Sequence, residues 1–171
     1  STGLNNTTGS EITILGNDAE VGSNNLTNAA AIGSKAQVNT SDAMVLGSIN
    51  GINGATSTVK VGVGTALPVN RLDDSGSIGM AIRTITVAST SNLTIDDHTI
   101  IITSAVAAGT VTLYLPAANT CARREYVIVN QNVTTAKTFN INYLDFTGAT
   151  VNTIPANGSI TLQSNGINWY R

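Results

Sequence analysis

The side chains able to do chemistry are few and scattered. Among 171 residues there is one histidine, His98, and one cysteine, Cys121. A lone histidine makes no histidine-containing metal cluster within one chain. Three copies of His98 meeting on the axis of a trimer would be needed for that, and a polar strand-edge residue is the plainer reading. The carboxylate pairs Asp73-Asp74 and Asp96-Asp97 are of a type suited to acid–base work or Ca²⁺ binding. Both stand among Ser, Thr, Asn and Gly, where adjacent acids make turns, and no EF-hand spacing surrounds either. Gly62-x-Gly64 is too short for a dinucleotide fingerprint. Cys121 is followed by Arg123 and Arg124, whose charges would lower its pKa if they lay close in space. No histidine lies near it in sequence, so a buried, inert thiol is expected. The sequons at Asn6, Asn25, Asn39, Asn92, Asn132 and Asn157 follow from an Asn- and Thr-rich composition. The expectation is a protein that is not an enzyme and takes no cofactor.

What remains is surface. All seven aromatic residues lie between Tyr114 and Tyr170. Tyr and Trp rings give rigid contact area and stack on the apolar faces of sugar rings, while Asn and Arg hydrogen-bond hydroxyls. Tyr114, Tyr143, Trp169 and Tyr170, with Arg123 and Arg124, are therefore the candidate receptor contacts. The competing reading for each ring is core, and Trp169 in a terminal strand suits a sandwich interior or an interface between chains.

Composition excludes several classes. The net charge is -2, with no basic field for nucleic acid or an anionic membrane. Only 11% of residues are charged, against roughly 25% in ordinary domains. Abundant Val, Ile and Thr argue against disorder. No run of about 18 apolar residues would insert into a bilayer. The chain begins at Ser1 rather than Met and reads as a piece of a longer protein.

The elements that must hold these residues fall into two halves. The first lacks aromatics and repeats on a glycine: Thr13-Ile14-Leu15-Gly16, Ala30-Ala31-Ile32-Gly33, Met44-Val45-Leu46-Gly47 and Val61-Gly62-Val63-Gly64, at steps of 17, 14 and 17 residues. Three positions past each glycine stand Ala19, Ala36, Asn50 and Leu67; five past it, Val21, Val38, Ile52 and Val69. A short fixed period with two apolar strands per unit predicts a β-roll or solenoid over residues 1–68. One unit alone has too little apolar surface to offset an ordering entropy of roughly 1–2 kcal/mol per residue, so three coils side by side are expected to share a core. Residues 69–80, with Pro68 before them and Asp73-Asp74-Ser75-Gly76-Ser77 inside, read as a neck. Residues 81–171 carry short strands at Arg83–Val87, Thr99–Thr103, Thr110–Leu115, Tyr126–Asn130, Thr138–Tyr143, Val151–Ile154, Ser159–Gln163 and Asn168–Tyr170. Asn165-Gly166 marks a hairpin and Asn157-Gly158 a turn. This spacing predicts a jelly-roll-like β-sandwich.

Two segments resemble known families. Ala31-Ile32-Gly33-Ser34-Lys35-Ala36 resembles the A-I-G-x-x-A head repeat of trimeric autotransporter adhesins. The runs Asn24–Ala29, Val45–Gly51 and Val61–Thr65 resemble repeats of phage tail fibres and of Bacteroidetes surface proteins. Val111–Pro116, Glu125–Asn130 and Ile160–Tyr170 resemble the C-terminal domains of phage tail-fibre proteins. The resemblance implies an all-β homotrimer: a β-roll rod followed by a tip that attaches a virion tail fibre, or a phage-tail-like particle, to a cell-surface glycan or outer-membrane receptor. A trimeric adhesin on a bacterial surface is the alternative. A polysaccharide depolymerase is a third, disfavoured by the scarcity of acids in the strands.

Overall fold

The computed structural model of the protein describes residues 2–87, 89–104 and 111–171. It is all-β, and the helical content among the described residues is a single 3-10 turn, Ala118–Thr120. The chain divides into two compact units, Ser1–Ile78 and Gly79–Arg171, each with its own apolar cluster.

In the first unit the strands are β1 (Ser10–Leu15), β2 (Glu20–Val21), β3 (Thr27–Ile32), β4 (Gln37–Val38), β5 (Ala43–Leu46), β6 (Val61–Val63) and β7 (Leu72–Asp74). β1, β3 and β5 form one parallel ladder, and β2 and β4 form another. Each circuit of the chain thus lays one strand on each ladder. Leu15 stands beside Ile32 and Ile32 beside Leu46, so the pairing register equals the spacing of the glycines.

Side chains alternate along a strand, and the alternation sorts the repeat. Ala29 and Ala31 point inward, joined by Ile12, Ile14, Ala43 and Val45, against Val21, Ala36 and Val38 from the other side. Leu15, Ile32 and Leu46, immediately before the glycines, fall on the opposite, outer face. The glycines are needed because backbone meets backbone there. Gly16 and Gly33 have φ of 135° and 120°. A Cβ on Gly16 would lie 2.5 Å from the carbonyl carbon of Gly33, and one on Gly33 would lie 2.9 Å from Gly47 Cα. Amide-to-carbonyl bonds cross at this level, Gly33 to Leu15 and Gly47 to Ile32, both 2.7 Å.

Two sets of left-handed residues that are not glycine recur from circuit to circuit: Glu11, Asn28 and Asp42, then Asp18 and Lys35, with φ between 51° and 58°. Side-chain bonds to the following segment accompany the strained positions. Asn28 Nδ2 donates to Asp42 Oδ1 at 2.9 Å, and Lys35 Nζ donates to the Gly54 carbonyl at 2.7 Å.

The regular register ends with β5. Ala19, Ala36, Val21 and Val38 are buried, as the repeat requires, but Asn50, Leu67 and Val69 are exposed. The strand at Val61–Val63 does not add to the β1–β3–β5 ladder; it pairs in parallel with β7. The segment 69–80 therefore contains a strand, and Asp73-Asp74 lies in it rather than in a turn. Asp73 Oδ2 accepts the Val69 amide at 2.6 Å. The physical reason is the insertion after Gly47, which closes its own turn through Gly51 N–H to the Ala55 carbonyl at 2.9 Å and displaces the next strand.

The second unit contains β8 (Ile82–Ile85), β9 (Thr90–Asn92), β10 (Thr99–Ile102), β11 (Thr112–Tyr114), β12 (Glu125–Asn130), β13 (Lys137–Leu144), β14 (Thr150–Ile154), β15 (Gly158–Ser164) and β16 (Trp169–Tyr170). β9 has no counterpart among the strands expected from the sequence, and Thr110, expected to open β11, lies outside the described residues. The sequence predicts two packed sheets; the nine strands form one, in the order β8-β10-β12-β15-β16-β13-β11-β9 with β14 beside β13. β8, β10 and β12 run parallel in one wing, and β9, β11 and β13 run parallel in the other. From β8 to β13 the chain again crosses from wing to wing with every strand. Ile85, Ile100, Ile102 and Ile128 of the first wing and Leu113, Phe139 and Tyr143 of the second belong to one core cluster, so the wings face each other. β15 and β16 join them as the expected hairpin, with Gly166 at φ 88°. Strand spacing alone does not reveal whether a strand pairs with its successor or with the next but one.

Two buried asparagines fix the β12–β13 connection. Asn130 Nδ2 donates to the carbonyls of Thr135 and Pro155, both at 3.0 Å. Asn132 Oδ1 accepts the amides of Thr134 and Thr135 at 3.1 and 2.9 Å.

Replacing Gly33 by Ala is expected to destabilise the first unit by about 2–4 kcal/mol, from backbone strain and the clash with Gly47. Gly51→Ala, where φ is 83° and no atom lies within 4 Å, should cost about 1 kcal/mol. Denaturant unfolding of both variants checks the difference.

Candidate functional site

The six residues expected to contact a receptor separate by burial. Trp169 and Tyr143 lie in the core. Trp169 Nε1 donates to the Pro116 carbonyl at 2.9 Å, and its ring stacks on Tyr126 with centroids 5.4 Å apart. Tyr143 packs edge-on to Phe139, and its hydroxyl donates to the Thr153 carbonyl at 2.8 Å. Burial pushes the Tyr143 hydroxyl above the usual phenol pKa. Neither ring offers a face to a ligand, because alternation along β13 and β16 turns both inward.

Tyr114, Arg123 and Tyr170 are exposed and Arg124 is half-buried. Arg124 Nη1 donates to the Tyr126 hydroxyl at 3.4 Å, which in turn donates to the Thr94 carbonyl at 2.8 Å. Tyr114 and Tyr170 do not share a patch. β16 meets β13 at Leu144, whereas β11 meets it at Thr138 and Phe139. The two tyrosines therefore lie along the same edge of β13, the one opposite β14, but more than 10 Å apart along it, at roughly 3.3 Å per residue.

Tyr170 has a defined neighbourhood. Successive pairings place Glu125 beside Gln163, Gln163 beside Tyr170, Tyr170 beside Leu144 and Leu144 beside Thr150. Inward neighbours Tyr126, Leu162, Ser164, Trp169 and Tyr143 are buried, so this row lies on the outer face of the sheet. Four of its members are exposed, and Leu144 is half-buried. His98 Nε2 stands 3.5 Å from Glu125 Oε1 at the β12 end.

At the β14 end stands a residue that the sequence reading did not single out. Phe146 is 84% exposed on the β13–β14 turn. The turn is rigidly built: Asp145 Oδ1 accepts the Thr147 amide at 2.8 Å, the Thr147 hydroxyl at 2.6 Å and the Ala149 amide at 3.0 Å. Gly148 takes φ 82°. The Thr147 hydroxyl bond, with the two amides and the Arg171 charge, holds the Asp145 carboxyl below its ordinary value. The signal was present in Asp145-Phe146-Thr147-Gly148, where Asp and Gly mark a turn and a turn strands its apolar residue outside.

The remaining chemistry-bearing groups hold structure. Asp97 Oδ2 accepts the Thr94 amide at 2.8 Å, and Asp97 Oδ1 lies 2.8 Å from Arg83 Nε. His98 Nδ1 stands 3.0 Å from the Thr99 hydroxyl. Cys121 is buried, with its thiol 3.3 Å from the Ala117 carbonyl. In the first unit, Glu20 accepts the amides of Leu4 and Val21 at 2.7 and 3.0 Å.

The outer face of the β1–β3–β5 ladder is a second candidate surface. Its apolar column is Leu15, Ile32 and Leu46, and the neighbouring column is Thr13, Ala30 and Met44. Leu15 is 64% and Met44 63% exposed.

No protein-family model matches the sequence, no curated protein matches it, and no solved structure matches the fold.

The lowered Asp145 pKa sets a direction with pH. A depressed carboxyl contributes stability that is present above its unfolded value and is lost as pH falls through the folded one. The β13–β14 turn is expected to hold at neutral pH and to loosen only below the ordinary carboxylate range. The Thr147 and Ala149 amide shifts, followed by NMR titration, should move together there and should stop moving in Asp145→Asn.

Proposed function

We propose that the chain is the receptor-binding end of a homotrimeric fibre of a phage tail or phage-tail-like particle, with residues 1–68 as a β-roll rod and 81–171 as a tip that attaches to a cell-surface glycan. The observation that carries this reading is the outer apolar column Leu15–Ile32–Leu46. Its side chains face away from their own core, yet two of them, with Met44 beside them, are left largely exposed. At about 25 cal/mol per Å² of apolar surface removed from water, a column repeated at every circuit supports association with the same face of further copies. The low charge of the chain removes most of the repulsion that would oppose such packing. The Ala31–Ala36 run supports the second reading, a trimeric adhesin of a bacterial surface. A depolymerase would use paired carboxylates in a groove, whereas Asp73 and Asp97 here hold backbone amides.

Sedimentation should give three times the 17.5 kDa chain mass. Ile32→Asp places a charge in the shared column and is expected to abolish the trimer at micromolar concentration. Asn39→Asp, at an exposed site whose oxygen can still accept from Gln37, should leave it intact. A folded wild-type monomer, or equal loss in both variants, would remove the basis of the proposal.

A further inference from the structure

Resting on the reading of the second unit as receptor-binding, we propose that the row Glu125–Gln163–Tyr170–Leu144–Thr150 is a platform for a neutral pyranose-containing glycan, with Tyr170 as the stacking ring. The row crosses five strands, β12, β15, β16, β13 and β14, on the outer face of one sheet. Neighbouring strands are about 4.8 Å apart, so side chains on both sides of Tyr170 come at intervals that one or two sugar rings span. The chemistry alternates in the way a sugar does. An aromatic face suits the apolar C–H side of a pyranose, while the Gln163 amide, the Glu125 carboxylate and the Thr150 hydroxyl can bond its hydroxyls.

The platform is preorganised. Inward side chains of the same strands, Trp169, Leu162 and Tyr126, are packed and buried, so little ordering accompanies binding. Phe146, displayed on its braced turn beyond Leu144, gives a second apolar face beside the row. Charge selects among saccharides. Glu125 lies in the row and Asp145 follows Leu144, while exposed Arg171 follows Tyr170 and exposed Arg123 donates its amide to the Ser164 carbonyl next to Gln163, so the charges are mixed and make no cationic field. This balance disfavours a polyanionic ligand and favours a neutral one. A protein partner would call for a broader apolar patch than one ring and a half-buried leucine provide.

The full chain is tested on a printed panel of neutral and acidic oligosaccharides, with sedimentation of every variant in parallel. Tyr170→Ala is expected to weaken binding to neutral members by about tenfold or more, the worth of one stacked ring, without changing the assembly. Tyr170→Phe should retain binding, and Gln163→Ala should weaken it severalfold. Unchanged binding by Tyr170→Ala, or binding restricted to acidic glycans, overturns the platform and leaves the fibre reading standing. Dissociation of both Tyr170→Ala and Gln163→Ala also overturns it, because the row would then be a contact between chains. A wild type that binds no member of the panel overturns both the platform and the glycan reading.

Discussion

A circuit of this chain buries side chains on one side only, and it is held by the next circuit or not at all. That constraint explains the first unit. Ala29 and Ala31 in β3 are small because the space between the two ladders is narrow. Gly16 and Gly33 are glycines because the backbone of the next circuit occupies the place of a side chain. The amides of Gly33 and Gly47 reach carbonyls one circuit back, so the hydrogen bonds of each strand belong to its neighbour in space rather than to its neighbour in sequence. Such contacts are long-range, and cooperativity between circuits takes the place of a wide core.

The second unit obeys the same winding with larger side chains. Its wings also fill by alternation, β8, β10 and β12 on one side and β9, β11 and β13 on the other. What differs is closure. β15 pairs with β12 and, through β16, links to β13, so a hairpin ties the wings together. The aromatic residues concentrate where this closure has to be filled, which is why Trp169 stacks on Tyr126 beneath the joining strands. Tyr170, the next residue, is outward by alternation alone. The rings that complete the core and the ring that faces solvent are thus adjacent in sequence.

Much of the organisation was legible in the sequence because it is periodic. The 17- and 14-residue steps are the pairing register itself, and the Asn165-Gly166 hairpin stands as read. Periodicity failed where local chemistry took over: the insertion after Gly47 closes on itself, so Val61–Val63 starts a separate ladder with Leu72–Asp74. Pairing partners in the second unit were hidden, since strands of even spacing are compatible with hairpins and with winding alike. The site was half legible. Tyr170 is legible from its type and place, but Gln163 and Thr150 join it only through pairing across strands. Phe146 is hidden in the sequence, because a phenylalanine is ordinarily core and only the Asp145 turn makes it otherwise. Asn130 and Asn132 show the reverse case, polar residues taken inside because each satisfies several backbone groups at once.

The central claim is that the outer face of the β1–β3–β5 ladder is covered by further copies of the chain. Met44 reports on it directly, being 63% exposed on that face, while Met80, in the second unit, is 52% exposed. Both thioethers oxidise to sulfoxide when solvent reaches them. Peroxide oxidation of the native protein, followed by peptide mass spectrometry and normalised to the denatured chain, compares the two. The account expects Met44 to oxidise at least about tenfold more slowly than Met80. Equal rates for the two methionines in the native protein would contradict it.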